Sequence, residues 1–94
     1  MPVAMEQIRH AVPHVLAALL REAPLSPGKV DFAWKTVVGA AVAHNAQVTL
    51  EGGVLLVTAT SKQWAREVMR SSPVILRRLQ SLLGDTVVTR IALK

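Results

Sequence analysis

Apolar residues return along the chain in two rhythms, one of three to four residues and one of two, and the switches between them mark out its elements. From Met5 to Glu22, the residues Ile8, Val12, Val15, Leu16 and Leu19 fall on one helical face, with Pro13 either kinking the segment or opening the helix as its first residue. Ala23 to Gly28 breaks that pattern. Ser26 then caps a second helix with Pro27 in its first turn, running to His44, where Asn45 reads as a left-handed stop. At about 100° per residue, Val30, Trp34, Val37, Val38 and Ala41 form one stripe, while Phe32, Thr36 and Gly39 lie opposite. A helix apolar on two sides is either sandwiched between the first helix and a sheet or presents its Phe32 side to a partner. The sandwich is the expectation.

Period two then takes over. Ala46, Val48 and Leu50 alternate with Gln47, Thr49 and Glu51; Gly52-Gly53 tolerates positive φ; Val54 to Ala59 resumes an apolar, β-branched run, and the whole predicts a β-hairpin. Thr86 to Leu93 predicts a third strand, with Val87, Thr89, Ile91 and Leu93 on one face and Val88, Arg90, Ala92 and Lys94 on the other. Two short helices lie between. Ser61 caps the first, which buries Trp64, Ala65, Val68 and Met69; Ser72-Pro73 starts the second, which buries Ile75, Leu76, Leu79, Leu82 and Leu83 and ends at Gly84. The order α-α-β-β-α-α-β predicts an α+β two-layer sandwich, a three-stranded sheet with helices on one face and with Trp34 and Trp64 in the core.

Length and composition narrow the picture. A chain of 94 residues with 51% hydrophobic content has room for one domain over 1–94 and one core. It has no cysteine, which removes disulfides and thiolate metal sites and fits an intracellular, cytoplasmic address. The apolar run after Arg9 is interrupted by His10, Pro13 and His14 and leads to no small-residue cleavage site, so it does not read as a signal peptide. No stretch approaches the about 18 apolar residues of a membrane span. Charge is uneven: residues 1–60 balance, and the whole formal charge of +5 lies in the last third. That asymmetry points to nucleic acid or another acidic surface.

Lys62, Arg66 and Arg70 follow one another at four-residue steps and fall within about 80° of arc, a basic ridge beside the buried Trp64 stripe. Arg77 and Arg78 extend positive charge onto the next helix, and Arg90 and Lys94 add to it where the open sheet face adjoins the helix ends. With only Phe32, Trp34 and Trp64 as rings, stacking on bases is not expected; contacts should run to phosphate, with weak base preference and strong salt dependence. Glu6, His10 and His14 share a spacing that a metal site uses, but an exposed polar face accounts for them, and no metal or cofactor is assigned. Nothing pairs a nucleophile with a base, sets two carboxylates together or forms a phosphate-cradling glycine loop, so no enzymatic activity is expected.

Several segments in fixed order carry a resemblance: Trp34-Lys35-Thr36-Val37-Val38-Gly39, Ala43-His44-Asn45, Leu50-Glu51-Gly52-Gly53-Val54-Leu55-Leu56-Val57, Ser61-Lys62-Gln63-Trp64-Ala65-Arg66-Glu67, Ile75-Leu76-Arg77-Arg78-Leu79 and Leu83-Gly84. From about Val15 to Leu93 the chain resembles the DciA family, also called domain of unknown function 721. The resemblance implies a bacterial protein with a KH-like fold that recruits or loads the replicative DNA helicase and has some affinity for DNA. A type II KH domain runs helix, strand, strand, helix, helix, strand, which agrees with the order read above. The glycine loop with which KH domains clamp nucleic acid is replaced by Arg70-Ser71-Ser72-Pro73, so base recognition of that kind is not carried over. The expectation is a non-enzymatic DNA-replication accessory with DNA and the replicative helicase as partners and neither a membrane nor a small-molecule substrate. The alternatives are an RNA-binding KH-like module and a protein-interaction domain that docks its partner through Phe32 or a strand edge.

Overall fold

The computed structural model describes residues 14–94, in the order α1 (His14–Glu22), α2 (Pro27–Asn45), β1 (Ala46–Glu51), β2 (Val54–Ala59), α3 (Lys62–Arg70), α4 (Ser72–Leu83) and β3 (Arg90–Leu93). The choice posed by Pro13 and the apolar positions before it lies outside the described residues. The sheet is ordered β1-β2-β3, with β2 antiparallel to β1 and parallel to β3. A parallel neighbour needs a crossover, and α3 with α4 supplies it. The order and the mixed three-stranded sheet are those of the expected α+β sandwich.

Each boundary has a local cause. Ser26 Oγ accepts from the Lys29 amide at 3.1 Å with Pro27 behind it, and Ser61 Oγ accepts from the Trp64 amide at 3.2 Å, so α2 and α3 both open on side-chain caps. The hairpin turns on two residues at positive φ, Gly52 at 55° and Gly53 at 81°. At the end of α4, Gly84 takes φ 109°.

Leu55 and Val57 of β2 point toward the helices and are fully buried against Val37, Val38 and Val42 of α2, Val68 of α3 and Ile75, Leu79 and Leu82 of α4, with Leu20 of α1 at the margin. Trp34 belongs to this core as expected, and its indole Nε1 donates to the Ala46 carbonyl at 2.8 Å, joining the middle of α2 to the first residue of β1. Trp64 is only half-buried and packs on the core's edge. The opposite sheet face is uncovered by these helices and carries Thr49 beside Leu56, Glu51 beside Val54, and Arg90 beside Val54 on the other side.

Four expectations are corrected. Within α2, Gly39 leaves the helical region at φ 85°, ψ 168°, a kink that the apolar pattern did not announce. The stripe is rephased beyond it: Val42 is buried and Ala41 only half so. Asn45 is not a left-handed stop, since no residue other than glycine has positive φ among the described residues. Its amide donates to the Ala41 carbonyl at 2.9 Å and its Oδ1 accepts from Thr60 Oγ1 at 3.1 Å, fastening the start of β1 to the end of β2. Phe32 is not sandwiched; it is 48% exposed. The third strand begins at Arg90 rather than Thr86, because Gln80 Nε2 holds the Val88 carbonyl at 2.9 Å and the Thr89 amide donates to the Gly53 carbonyl at 2.7 Å. Val88, assigned to the outer face by alternation, is consequently buried in the core.

Candidate nucleic-acid interface

The α3 ridge is built by one buried residue and three exposed ones. Val68 anchors the helix on β2, while Lys62, Arg66 and Arg70 are all exposed, each about 6 Å along the axis from the last. Val68 lies about 160° around the helix from Arg66, so the ridge stands opposite the buried stripe rather than beside it. Arg70 Nη1 lies 3.4 Å from Glu67 Oε1, an i,i+3 pair in which the arginine side chain is 70% exposed and the glutamate 19%. With its arginine in solvent, such a pair contributes little to stability. Glu67 Oε2 is buried without a hydrogen-bond partner among the described residues. Lys62 and Arg66 take part in no ion pair there. The ridge therefore presents two uncompensated cations and a third shared with one acid.

On α4, Arg77 is exposed and Arg78 half-buried. One turn further along α4 the structure brings in a residue that the sequence reading passed over: Arg21, at the end of α1, donates from Nη2 to the Ser81 carbonyl at 2.6 Å. No local spacing could have shown this, because sixty residues separate the two. Arg90 is elsewhere. It pairs with Val54, whose neighbour Leu55 turns inward, so Arg90 projects from the open sheet face and does not join the α3 ridge.

Phe32 is half-exposed on α2, and Leu25, 55% exposed, lies just ahead of that helix. A cavity of about 360 Å³ opens there between Leu25, Pro27, Val30 and Asp31 on one side and Val48 and Leu50 of the edge strand β1 on the other. The Glu6, His10 and His14 spacing lies outside the described side chains. Among those described, no three acids or histidines gather as a metal site would require, and no helix is long and apolar enough to cross a membrane.

Among the described residues, four helices on one layer of a mixed three-stranded sheet define this as an α+β two-layer domain. The model of the DciA family, described as Dna[CI] antecedent, matches residues 7–93, and the chain belongs to that family. It is similar to a UPF0232 protein of Mycolicibacterium smegmatis, 38% identical over 68 residues, which are 71% of this chain and 35% of that protein. UPF0232 proteins of two Mycobacterium leprae strains, Br4923 and TN, are each 35% identical over 68 residues, 71% of this chain and 36% of theirs. The matched stretch is thus about a third of the relatives' own length. No solved structure matches.

Proposed function

We propose that the chain is a DNA-replication accessory without catalytic activity, whose α3 ridge holds the phosphate backbone of DNA while the domain engages the replicative DNA helicase. The observation that carries the DNA contact is the row of Lys62, Arg66 and Arg70, exposed together along one helix face. Three cations in a row displace counterions from a nucleic-acid backbone, which gives binding without base preference that weakens as salt rises. The helicase partner is supported by membership of the DciA family. With no nucleotide-binding loop in the sequence, such a domain acts by biasing the helicase's own states through binding.

Fluorescence anisotropy of labelled single- and double-stranded DNA and RNA across a salt series tests the ridge, with the K62E/R66E/R70E variant beside the original chain. The expected log-log salt slope is about −3 to −5, lost in the variant, with DNA preferred over RNA. RNA preference would favour the KH-like RNA-binding reading. Absence of binding at low salt, with helicase association intact, would leave the protein-interaction reading. The half-exposed Phe32 favours that alternative, and Phe32→Ala should then abolish association without unfolding the chain.

A further inference from the structure

At the seam between α1 and α4, Arg21 meets Ser81, one turn beyond the adjacent Arg77 and Arg78. Arg21 is anchored there by its Nη2 bond to the Ser81 carbonyl at 2.6 Å. Beside Ser81 a cavity of about 170 Å³ runs over two turns of α4, walled by Val74, Arg77, Arg78 and Ser81. At about 30 Å³ per water, that space holds the five heavy atoms of a phosphate group with water around them. No acid stands in its wall. Neither Arg21 nor Arg77 enters an ion pair among the described residues, and the acid nearest in sequence, Glu22, is exposed and turned about 100° around α1 from Arg21.

We propose that Arg21, Arg77 and Arg78 form a clamp on the α1–α4 seam that takes a phosphodiester group of a nucleic-acid strand, as a contact additional to the α3 ridge. The proposal rests on the reading that nucleic acid is the partner. Arg21 commits one nitrogen to Ser81 and keeps the rest of its five-donor fork available. A carboxylate is planar and is satisfied by a single fork, whereas the oxygens of a tetrahedral phosphate diverge and suit forks arriving from two helices. Ser81 supplies a hydroxyl, now donating to the Arg77 carbonyl at 3.3 Å, that can turn to the same oxygens. Val74 offers apolar contact to the sugar. Being remote in sequence from Arg77 and Arg78, Arg21 fixes the clamp's geometry only in the folded chain.

The test is a pair of single variants, R21Q and R77Q, in the 94-residue chain, measured by DNA anisotropy across the salt series and by NMR of the arginine Nε–Hε groups during titration with a single-stranded DNA oligomer. Each variant should weaken DNA binding by about three- to tenfold and shrink the log-log salt slope by about one unit. The Arg66 signal on α3 should still respond to DNA. R77Q keeps the Arg21–Ser81 contact, so it separates loss of a phosphate ligand from loosening of α1, which thermal melting checks for R21Q. If both variants bind DNA with unchanged affinity and slope while the α3 triple variant does not bind, the clamp is overturned and the ridge stands. If the original chain binds no DNA, both readings fall together. Tighter capture of an acidic peptide than of DNA, lost in R21Q and R77Q, would overturn the phosphate assignment in favour of a protein carboxylate.

Discussion

Replacing Trp34 by Phe removes the link that the structure places between α2 and β1, and the loss can be worked out in parts. The indole N–H bonds the Ala46 carbonyl at 2.8 Å in a site where Trp34 is 3% exposed and Ala46 fully buried. Phe cannot donate, so that carbonyl loses its donor where water does not reach, at a cost of about 1–3 kcal/mol. Loss of the fused five-membered ring leaves a void on the order of 40 Å³, which at about 24 cal/mol per Å³ adds about 1 kcal/mol. A total of about 2–4 kcal/mol is a large part of the about 5–14 kcal/mol available to a domain of this size. At about 4–8 °C per kcal/mol, the melting midpoint should fall by roughly 8–32 °C. Circular dichroism melts and urea titrations of W34F measure this, with W64F as the control: Trp64 is half-buried and its ring has no hydrogen-bond acceptor among the described residues, so W64F should lose about 1 kcal/mol. Equal losses in the two variants, or less than about 1 kcal/mol in W34F, would refute the assignment of Trp34 as the joint of the fold.

Gly39 holds φ 85°, ψ 168°, outside the range of L side chains, so Gly39→Ala should destabilise the chain by about 1–3 kcal/mol in the same melts, despite alanine's better helix propensity. The two hairpin glycines should separate: a Cβ on Gly53 would meet Thr89 Oγ1 at 3.1 Å at φ 81°, so Gly53→Ala should cost about 1–2 kcal/mol and speed hydrogen exchange at the Thr89 amide, while Gly52→Asn, with open space around it, should stay within about 0.5 kcal/mol. Glu67→Gln removes the one acid that pairs with the ridge among the described residues and frees Arg70, so DNA affinity should rise about two- to fivefold with little change in melting; a fall in affinity would show that Glu67 orients Arg70 rather than screening it.

The elements themselves were legible because their signals are local: a serine three residues before an amide, two glycines between alternating strands, a glycine closing α4. What the sequence hid was phase. A helical wheel assumes a constant 100° or so per residue, and Gly39 breaks that assumption in the middle of α2 without breaking the composition. Val42 therefore enters the core while the wheel pointed to Ala41. The third strand fails in the same way. Alternation from Thr86 onward presumes an extended chain, but residues 85–87 form a turn, Gln80 and Gly53 then hold residues 88 and 89, and the period of two begins only at Arg90.

The site divides along the same line. Lys62, Arg66 and Arg70 could be grouped from spacing alone, since one helix carries them and one buried residue, Val68, orients it. Arg90 could not be placed, because its face is decided by register with β2, a property of the partner strand. Arg21 is the extreme case: its neighbour Ser81 is sixty positions away, and only the packing of α1 across α4 makes them adjacent. A charge whose neighbours are local gives a ridge that periodicity can find, and a charge whose neighbours come from another helix gives a pocket that it cannot. The two kinds of cation therefore predict different behaviour on unfolding. The ridge retains its spacing in any helical fragment of α3, whereas the α1–α4 clamp disappears with the tertiary fold, so partial denaturation should abolish the Arg21 contribution to the salt slope before that of Arg66.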